Sequence, residues 1–523
     1  MSLHYLLNGT PFRPLIDGKS EISPWYVSCV VTAILLVIFM YGMRESYLDL
    51  PRLDPRRPTE LTTSKRRAEF CSKSQELLAQ GTQRFQDKPY KVYSENGDVV
   101  IIPSKYVDEL RNDPKLSFAA SAEDDSHAYI PGFEPFHAPS GLVKVVSNNL
   151  TRSLLSLTAP ISEEAAEALR DVFTDSKEWC EVTPGSLMLV VSRMSSRIFM
   201  GKELCDDKEW IQASSEYAAM VFDHRFTLSE WSRPLRPIVH WFLPGFSEVR
   251  RQLQRCRDVL QPHVDKRNAI RKQALARGEK SPFNDSIEWF QKESPGTAHD
   301  PASEQLTLSM VAIHTTTDLL AQTMVDIAKH PELFAPLRAE ALRVLRADGL
   351  KKTAFQKLKL MDSCFKESQR LRPIMVAYFQ RMALDDVSLS DGFKIKKGTK
   401  IAMDGASMLR SQDNYEDPLQ YDPYRFMKMR EVPSEESRAH LVSVSSKHCG
   451  FGHGLRACPG RFFAANEVKI ALVHILLKYH WKLAKGTEDL KPRAIGLSYA
   501  LNPATKLLVR RREEELDLES LEC

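Results

Sequence analysis

Cys458 has the sequence surroundings that most clearly indicate chemistry. It lies in the decapeptide Phe451–Gly460, FGHGLRACPG, where glycines surround the cysteine. Glycine lets a backbone approach a bound group closely and offer it N–H groups, and the positive end of a helix favours thiolate over thiol. We expect that helix to begin at Pro459, whose missing N–H costs nothing in a first turn. A cysteine in this setting is suited to bind haem iron as a thiolate, which favours cleavage of the O–O bond.

The pattern Phe-Gly-x-Gly-x-Arg-x-Cys-x-Gly resembles the haem-binding signature of the cytochrome P-450 superfamily at every defined position. The resemblance implies haem b as cofactor, with Cys458 as the iron ligand and Phe451 and Gly452 in the loop that holds it. For an isolated cysteine, a buried free thiol on a turn is the alternative. A dinucleotide-binding loop is excluded, because the strand and helix context of Gly-x-Gly-x-x-Gly is missing.

Three charged residues resemble a second signature of that family. Glu367 and Arg370 lie three residues apart on a predicted helix, so they share one face and can pair. They match Glu-x-x-Arg, and Arg425 follows in Asp-Pro-Tyr-Arg-Phe. The resemblance implies a buried charge network that holds the thiolate loop, whereas the spacing alone is typical of a surface ion pair.

Arginines are the candidates for binding the two haem propionates. Arg456 and Arg381 match propionate contacts of the family. The family's Trp-x-x-x-Arg is absent, and Arg152 occupies roughly that region. A surface arginine is the alternative interpretation of Arg152.

A long helix is predicted from Leu306 to His330, where apolar residues recur with helical spacing until Pro331. The family places its oxygen-activating pattern, Ala/Gly-Gly-x-Asp/Glu-Thr-Thr/Ser, on such a helix. Ala312, Thr316 and Thr317 fit this pattern.

Two positions of the pattern differ, since Ile313 replaces the glycine and Thr315 replaces the acid. We expect the Thr316 hydroxyl to bond back to the carbonyl four residues earlier and to manage protons. His314 or Asp318 is a candidate to replace the missing acid. This variant resembles a fungal branch that includes ent-kaurene oxidases and other oxidases of terpenoid, indole-diterpene and meroterpenoid pathways.

The resemblance covers residues 64–510 and implies a mainly α fold with a minor β region. A hairpin is predicted in Lys88–Ile102, turning at Asn96-Gly97. Residues 278–304 are interpreted as a surface loop and the tail after Arg510 as frayed. Residues 230–246 predict either a core-facing loop or a lip that enters a membrane surface. Further helices and strands are predicted at Glu340–Leu345, Leu358–Leu371, Val387–Leu389, Lys400–Met403 and Lys506–Val509.

Residues 25–43 form an uncharged run long enough to span hydrocarbon. Arginines and lysines are concentrated after it, which predicts a cytosolic body on a single-pass anchor in the endoplasmic reticulum membrane. Asn8-Gly9-Thr10 is then a lumenal glycosylation sequon, although Asn149 and Asn284 begin matching tripeptides on the cytosolic side. The predicted organisation is a lumenal N-terminus (1–24), an anchor (25–43), a Pro- and Arg-rich linker (44–63), a haem-thiolate catalytic domain (64–510) and a charged tail (511–523).

The composition limits the remaining function classes. The formal charge of +4 over 523 residues gives no indication of nucleic-acid binding. Nine scattered cysteines indicate reduced thiols and not a disulfide framework.

The resemblance therefore implies a monooxygenase that takes electrons from an NADPH-dependent reductase and oxidises a bulky lipophilic substrate. A haem-thiolate isomerase or dehydratase and a non-enzymatic haem sensor are the alternatives. The missing acid motivates the first of these.

Overall fold

The chain is described from a computed structural model over residues 24–42, 50–55, 60 and 62–521. The predicted sequon at Asn8 and most of the charged residues that flank the apolar run lie outside the described residues. So does most of the predicted linker.

Helices account for most of the described chain. Helices α1 to α20 are Pro24–Gly42, Ser64–Phe85, Val107–Leu110, Phe118–Asp125, Leu142–Lys144, Leu154–Phe173, Pro184–Phe199, Lys202–Cys205, Lys208–Ser229, Arg236–Val239, Phe246–Ala276, Ser286–Glu293, Pro301–Lys329, Phe334–Asp348, Lys352–Lys357, Lys359–Leu371, Gly405–Leu409, Arg425–Met429, Glu436–Ala439 and Arg461–Lys478. A π turn spans Val145–Leu150, and 3-10 turns include Arg233–Leu235 and Gly454–Arg456. The expected mainly α architecture with a minor β region is confirmed.

The strands are short and form four small sheets in the described chain. Strands β1 to β12 are Tyr90–Ser94, Gly97–Ile101, Leu116–Ser117, Cys180–Val182, Ala377–Ala383, Val387–Ser388, Lys394–Ile395, Lys400–Asp404, Tyr479–Leu483, Arg493–Ile495, Ser498–Ala500 and Leu507–Arg511. The largest sheet has the order β1-β2-β8-β5-β3, with only β2 and β8 parallel. The predicted hairpin is β1-β2, and Ser94 pairs with Gly97, so its two turn residues are Glu95 and Asn96.

Helix α13 is the long helix predicted from apolar spacing, and it packs against α7, α11, α16 and α20. It begins at Pro301, earlier than expected, because Asp300 caps it by accepting a hydrogen bond from the Ser303 N–H at 3.2 Å. Its apolar residues, such as Leu320 and Met324, lie in the main core. The stretch 312–317, which is predicted to activate oxygen, therefore lies on a helix that packs against several other helices.

Helix α16 is buried on all sides from Leu360 to Leu371 although many of its residues are polar or charged. A helix of this composition ordinarily has one solvated face. The polar side chains must therefore find partners inside the protein. Those partners lie on α13, α18 and α20 and in the segments on either side of α18.

Two predictions about surface segments are wrong. Residues 278–304 contain helix α12, capped by the Asp285 carboxylate, and Trp289 and Phe290 on it are buried. The tail is not frayed up to Leu521, because the Arg512 guanidinium donates to the Leu477 carbonyl at 3.0 Å and Leu518 is only 1% exposed. In both segments, apolar residues that stand among charged ones are buried, as Phe290 and Leu518 show.

The apolar run near the N-terminus is helical, and the side chains described on α1, such as Trp25 and Val30, are exposed. Across the described residues, none of the helices combines the length and apolar character needed to cross a membrane.

Candidate active site

The loop before α20 presents Cys458 on a backbone shaped by glycine. Gly452 and Gly454 adopt φ values of +76° and +79°, which other residues rarely reach. The Cys458 N–H donates to the Phe451 carbonyl at 2.8 Å and so closes the loop. Helix α20 begins at Arg461, so Pro459 precedes the helix instead of opening it.

The Cys458 side chain is exposed although protein lies close around it. Desolvation by that protein raises the pKa of the thiol, while the backbone N–H groups of Gly460 and Arg461 and the Arg461 charge act in the opposite direction. An exposed thiol with protein around it is accessible to a large cofactor.

The predicted charge network forms. The Arg370 Nε and Nη2 atoms donate to the two oxygens of Glu367, each at 2.8 Å, and both side chains are 0% exposed. The Arg425 Nε lies 3.2 Å from both Glu367 oxygens. Arg370 also donates to the carbonyls of Leu409 and Pro418, at 2.8 and 2.6 Å. The network therefore joins α16 to the segment that leads into α18.

Two further residues of α16 hold the chain that leads to the cysteine loop, and the sequence reasoning missed both. The Lys366 ammonium donates to the carbonyls of Arg438 and His440, at 2.9 and 2.6 Å, and burial lowers the pKa of Lys366 to about 7. Gln369 packs against Gly450, where a Cβ atom would lie 2.0 Å from the Gln369 Oε1. The only sequence signal was the polar character of a helix that proved to be buried.

Arg381 and Arg456 lie close enough to repel each other. Arg381 is buried and stacks on the rings of Phe118 and Phe379. Desolvation, with a contribution from Arg456, lowers the pKa of Arg381 to about 10. The Arg381 Nη1 donates to the Gln380 carbonyl at 2.7 Å, but in the described part of the chain no carboxylate pairs with its charge, so an anion is the missing counter-charge.

Arg152 differs from these two arginines. It is exposed in the turn that follows the π turn, and within the described residues it makes no hydrogen bond or ion pair. Its assignment as a propionate ligand stays a prediction.

One face of α13 lines an open space. Val311, His314 and Thr315 are exposed even though the helix is packed on several sides. Desolvation lowers the pKa of His314, so protein surrounds the space onto which this face opens. The Thr315 hydroxyl donates to the Val311 carbonyl at 3.0 Å, four residues earlier. This is the bond that bends such helices and holds a hydroxyl in place.

The predicted back-bond of Thr316 is wrong, because Thr315 makes this type of bond and Thr316 is buried. When the family pattern is moved by one residue, His314 stands at the acid position and Thr315 at the first threonine. Asp318 is one turn further along, where its carboxylate accepts from the Leu501 N–H at 2.7 Å and burial raises its pKa to about 6. Because Thr315, Thr316 and Thr317 are consecutive, the sequence alone did not decide which of them occupies the first threonine position of the pattern.

The residues present fit a haem. An anionic, planar, thiolate-ligated group needs an accessible thiol, a cation without a carboxylate partner and a polar helix face. Among the described residues, Cys458, Arg381 and the threonine-bearing face of α13 supply these three features. A separate cavity of about 380 Å³, lined by Arg197, His263 and Arg267 among others, contains none of the predicted site residues.

The segment 230–246 exposes large apolar side chains, which favours the lip interpretation over a core-facing loop. Trp241 and Phe242 are 57% and 83% exposed, and the turn Arg233–Leu235 contacts α1. Exposed apolar clusters of this kind mark contact with another apolar surface.

Comparison with known proteins gives a consistent result. The Cytochrome P450 family profile matches residues 141–507. The chain is 49% identical to cytochrome P450 monooxygenase eqxH of Fusarium heterosporum, over 97% of this chain and 99% of that protein. It is 40% identical to cytochrome P450 monooxygenase hepE of Aspergillus oryzae, over 96% and 93% of the two chains. The crystal structure of the cytochrome P450DA heme domain has a similar fold, with a TM-score of 0.65 and 18% identity over 89% of this chain and 97% of that one.

We predict that Glu367→Gln prevents stable haem incorporation. The substitution leaves the Arg370 guanidinium buried without a full counter-charge, which costs about 3–5 kcal/mol. The haem content per protein and the thermal unfolding midpoint of the purified full chain should both fall.

Lys428→Gln is the matched control, because Lys428 forms an exposed pair with Asp422 at 3.5 Å in the same region. Loss of such a pair costs at most about 1 kcal/mol, so haem content should be unchanged. If Glu367→Gln retains the wild-type haem content and midpoint, the network does not hold the loop.

Proposed function

The chain belongs to the cytochrome P-450 family and is a cytochrome P-450 monooxygenase, and from this premise we propose that it oxidises a bulky lipophilic intermediate of fungal secondary metabolism, a terpenoid or meroterpenoid. The observation that carries the reaction class is the exposed Cys458 thiol with protein close around it, beside a buried Arg381 that lacks a carboxylate partner among the described residues. The terpenoid or meroterpenoid class is supported by the resemblance of the Ala312–Thr316 stretch to a fungal branch of the family. Bound haem supplies the activation of dioxygen and the insertion of one oxygen atom into a C–H bond, with the other atom leaving as water.

Each residue of the site has a separate task in this proposal. Cys458 would supply the thiolate that binds the iron and gives it electron density, and the backbone N–H groups of Gly460 and Arg461 stabilise its charge. Arg381 and Arg456 would hold the propionates, which would offset the repulsion between the two guanidinium groups. Exposed apolar side chains on α13, such as Val311, offer an apolar wall to the substrate.

We propose that Thr315 manages protons in this enzyme. Its proton is held by the Val311 carbonyl, so the oxygen lone pairs face the open space and can accept a hydrogen bond. Thr316 is largely buried, and among the described residues its hydroxyl makes no hydrogen bond that would hold it in place. The assignment of the relay to Thr316, which the sequence pattern favoured, stays a prediction, and Thr315 is our proposal in its place.

We propose that residues 25–43 anchor the chain in the endoplasmic reticulum membrane with the body in the cytosol, where a membrane-bound NADPH-dependent reductase supplies electrons. The support is the uncharged run, the charge asymmetry around it and the contact between α1 and the Arg233–Leu235 turn. Trp241 and Phe242 then lie at the lipid surface, where aromatic rings are favoured.

The reaction class is tested with heavy dioxygen. Microsomes that contain the full chain and a reductase convert the compound that accumulates in a deletion strain. We expect one heavy oxygen atom per oxidation in the product, with turnover that requires NADPH. An isomerase or dehydratase gives a product without heavy oxygen and without NADPH use, and this outcome would favour the alternative.

Thr315→Ala should slow product formation by about 10²-fold while haem content stays intact, because loss of a proton-managing hydroxyl carries a cost of this order. NADPH consumption continues and its electrons appear as peroxide. Thr316→Ala is the matched control from the next position. Its ratio of product formed to NADPH consumed should lie within about twofold of the wild-type ratio. The reverse ranking of the two variants would return the role to Thr316.

Membrane orientation predicts which sequon carries a glycan. Asn8→Gln should abolish a glycosidase-sensitive mobility shift, while Asn284→Gln leaves it unchanged. A glycan on Asn284 contradicts the orientation.

Brominated lipids should quench the fluorescence of the wild-type chain more than that of Trp241→Phe. Equal quenching of the two proteins contradicts the lip interpretation of residues 230–246.

A further inference from the structure

The exposed face of α13 carries one polar side chain that the proposed reaction does not use. His314 lies between Val311 and Thr315 on the open side of the helix. The Thr315 hydroxyl is already engaged with the Val311 carbonyl. His314 has no hydrogen-bond partner in the described part of the chain, so both of its ring nitrogens remain available to a ligand.

Aromatic packing fixes the position of the imidazole. The Phe222 ring of α9 meets the His314 ring edge-on, with centroids 5.5 Å apart and planes at 88°. Phe222 is supported by Phe136 in turn, at 5.7 Å between centroids. A polar ring held by apolar neighbours is oriented before any ligand arrives, which lowers the entropy cost of binding to it.

The surroundings of His314 do not favour a proton relay. A relay needs a neighbouring group that resupplies the proton. Asp318 lies one turn away, but among the described residues no hydrogen bond joins it to His314, and the Leu501 N–H binds its Oδ1. Burial alone lowers the pKa of His314, and no charged group acts on it. The imidazole is therefore neutral, with one donor and one acceptor.

We propose that His314 determines substrate specificity by hydrogen bonding to an oxygen function, a carbonyl or a hydroxyl, on an otherwise apolar substrate. The proposal rests on the proposed function and narrows its substrate class. A hydrocarbon without such a group leaves the imidazole desolvated and unpaired in the complex, which is how polar pockets reject analogues that lack a partner. The oxygen function must already be present, so a reaction that introduces a hydroxyl or a carbonyl precedes this step.

The test uses two bicyclic probes, decalin and 2-decalone, and the full haem-loaded chain. Each dissociation constant is measured from the change in haem spin state on titration. The ratio of the decalin constant to the 2-decalone constant cancels the shared apolar contribution. We expect this ratio to fall by about threefold to tenfold in His314→Leu, the value of one neutral hydrogen bond. His314→Gln keeps a donor and an acceptor, so its ratio of the two dissociation constants should stay close to that of wild type.

Val311→Ala is the matched control on the same face, and it should change both constants alike and leave the ratio unchanged. A ratio in His314→Leu within twofold of wild type overturns the proposal, as does a wild-type chain that responds to decalin alone. The proposed function fails separately: a wild-type chain that binds no haem contradicts both, whereas a haem-loaded chain with an unchanged ratio contradicts only the role of His314.

Discussion

The buried guanidinium of Arg370 is the group on which the arrangement of the site depends. It is fully removed from solvent, and Glu367, Leu409 and Pro418 provide its acceptors. A charge in this position is tolerated only when all of its partners are in place. The requirement fixes the chain between α17 and α18 relative to α16. Lys366 and Gln369 of the same helix bind or pack against His440 and Gly450, which precede the cysteine loop.

The site combines this rigid support with groups that lack a full set of partners. Cys458 is exposed with protein close around it, and His314 has no hydrogen bond within the described residues. The buried Arg381 donates to the Gln380 carbonyl but has no carboxylate partner there. Each is costly alone, since a desolvated polar group without a partner destabilises a fold. Together they describe the complement of a ligand: a metal that takes a thiolate, an anionic edge that takes arginines, and an oxygenated apolar substrate. The contacts of α16 hold the surrounding chain in place, which allows these groups to remain without partners in the folded protein.

Local pattern predicted the β1-β2 hairpin and the presence of α13, although α13 begins at Pro301 and not at Leu306. The buried network of Glu367, Arg370 and Arg425 was predicted only from the family resemblance, because the spacing alone is typical of a surface ion pair. The register of the threonines was not predicted, because one helix turn cannot distinguish Thr315 from Thr316 without its packing. The roles of Lys366 and Gln369 were missed because a polar helix predicts a solvated face, and only tertiary contacts show that α16 is buried. Residues such as Phe290 and Leu518 were assigned to loops because single apolar residues among charges carry little periodicity.

The central claim is that the Cys458 thiolate binds haem iron, and the absorption spectrum of the reduced protein with carbon monoxide tests it most directly. The wild-type chain should show the long-wavelength band that is diagnostic of thiolate ligation. Cys458→His should move the band to the position typical of imidazole ligation, because histidine replaces sulfur as the donor while haem stays bound. A Cys458→Ala chain whose spectrum is identical to that of wild type would show that another residue holds the iron, which would contradict thiolate ligation by Cys458.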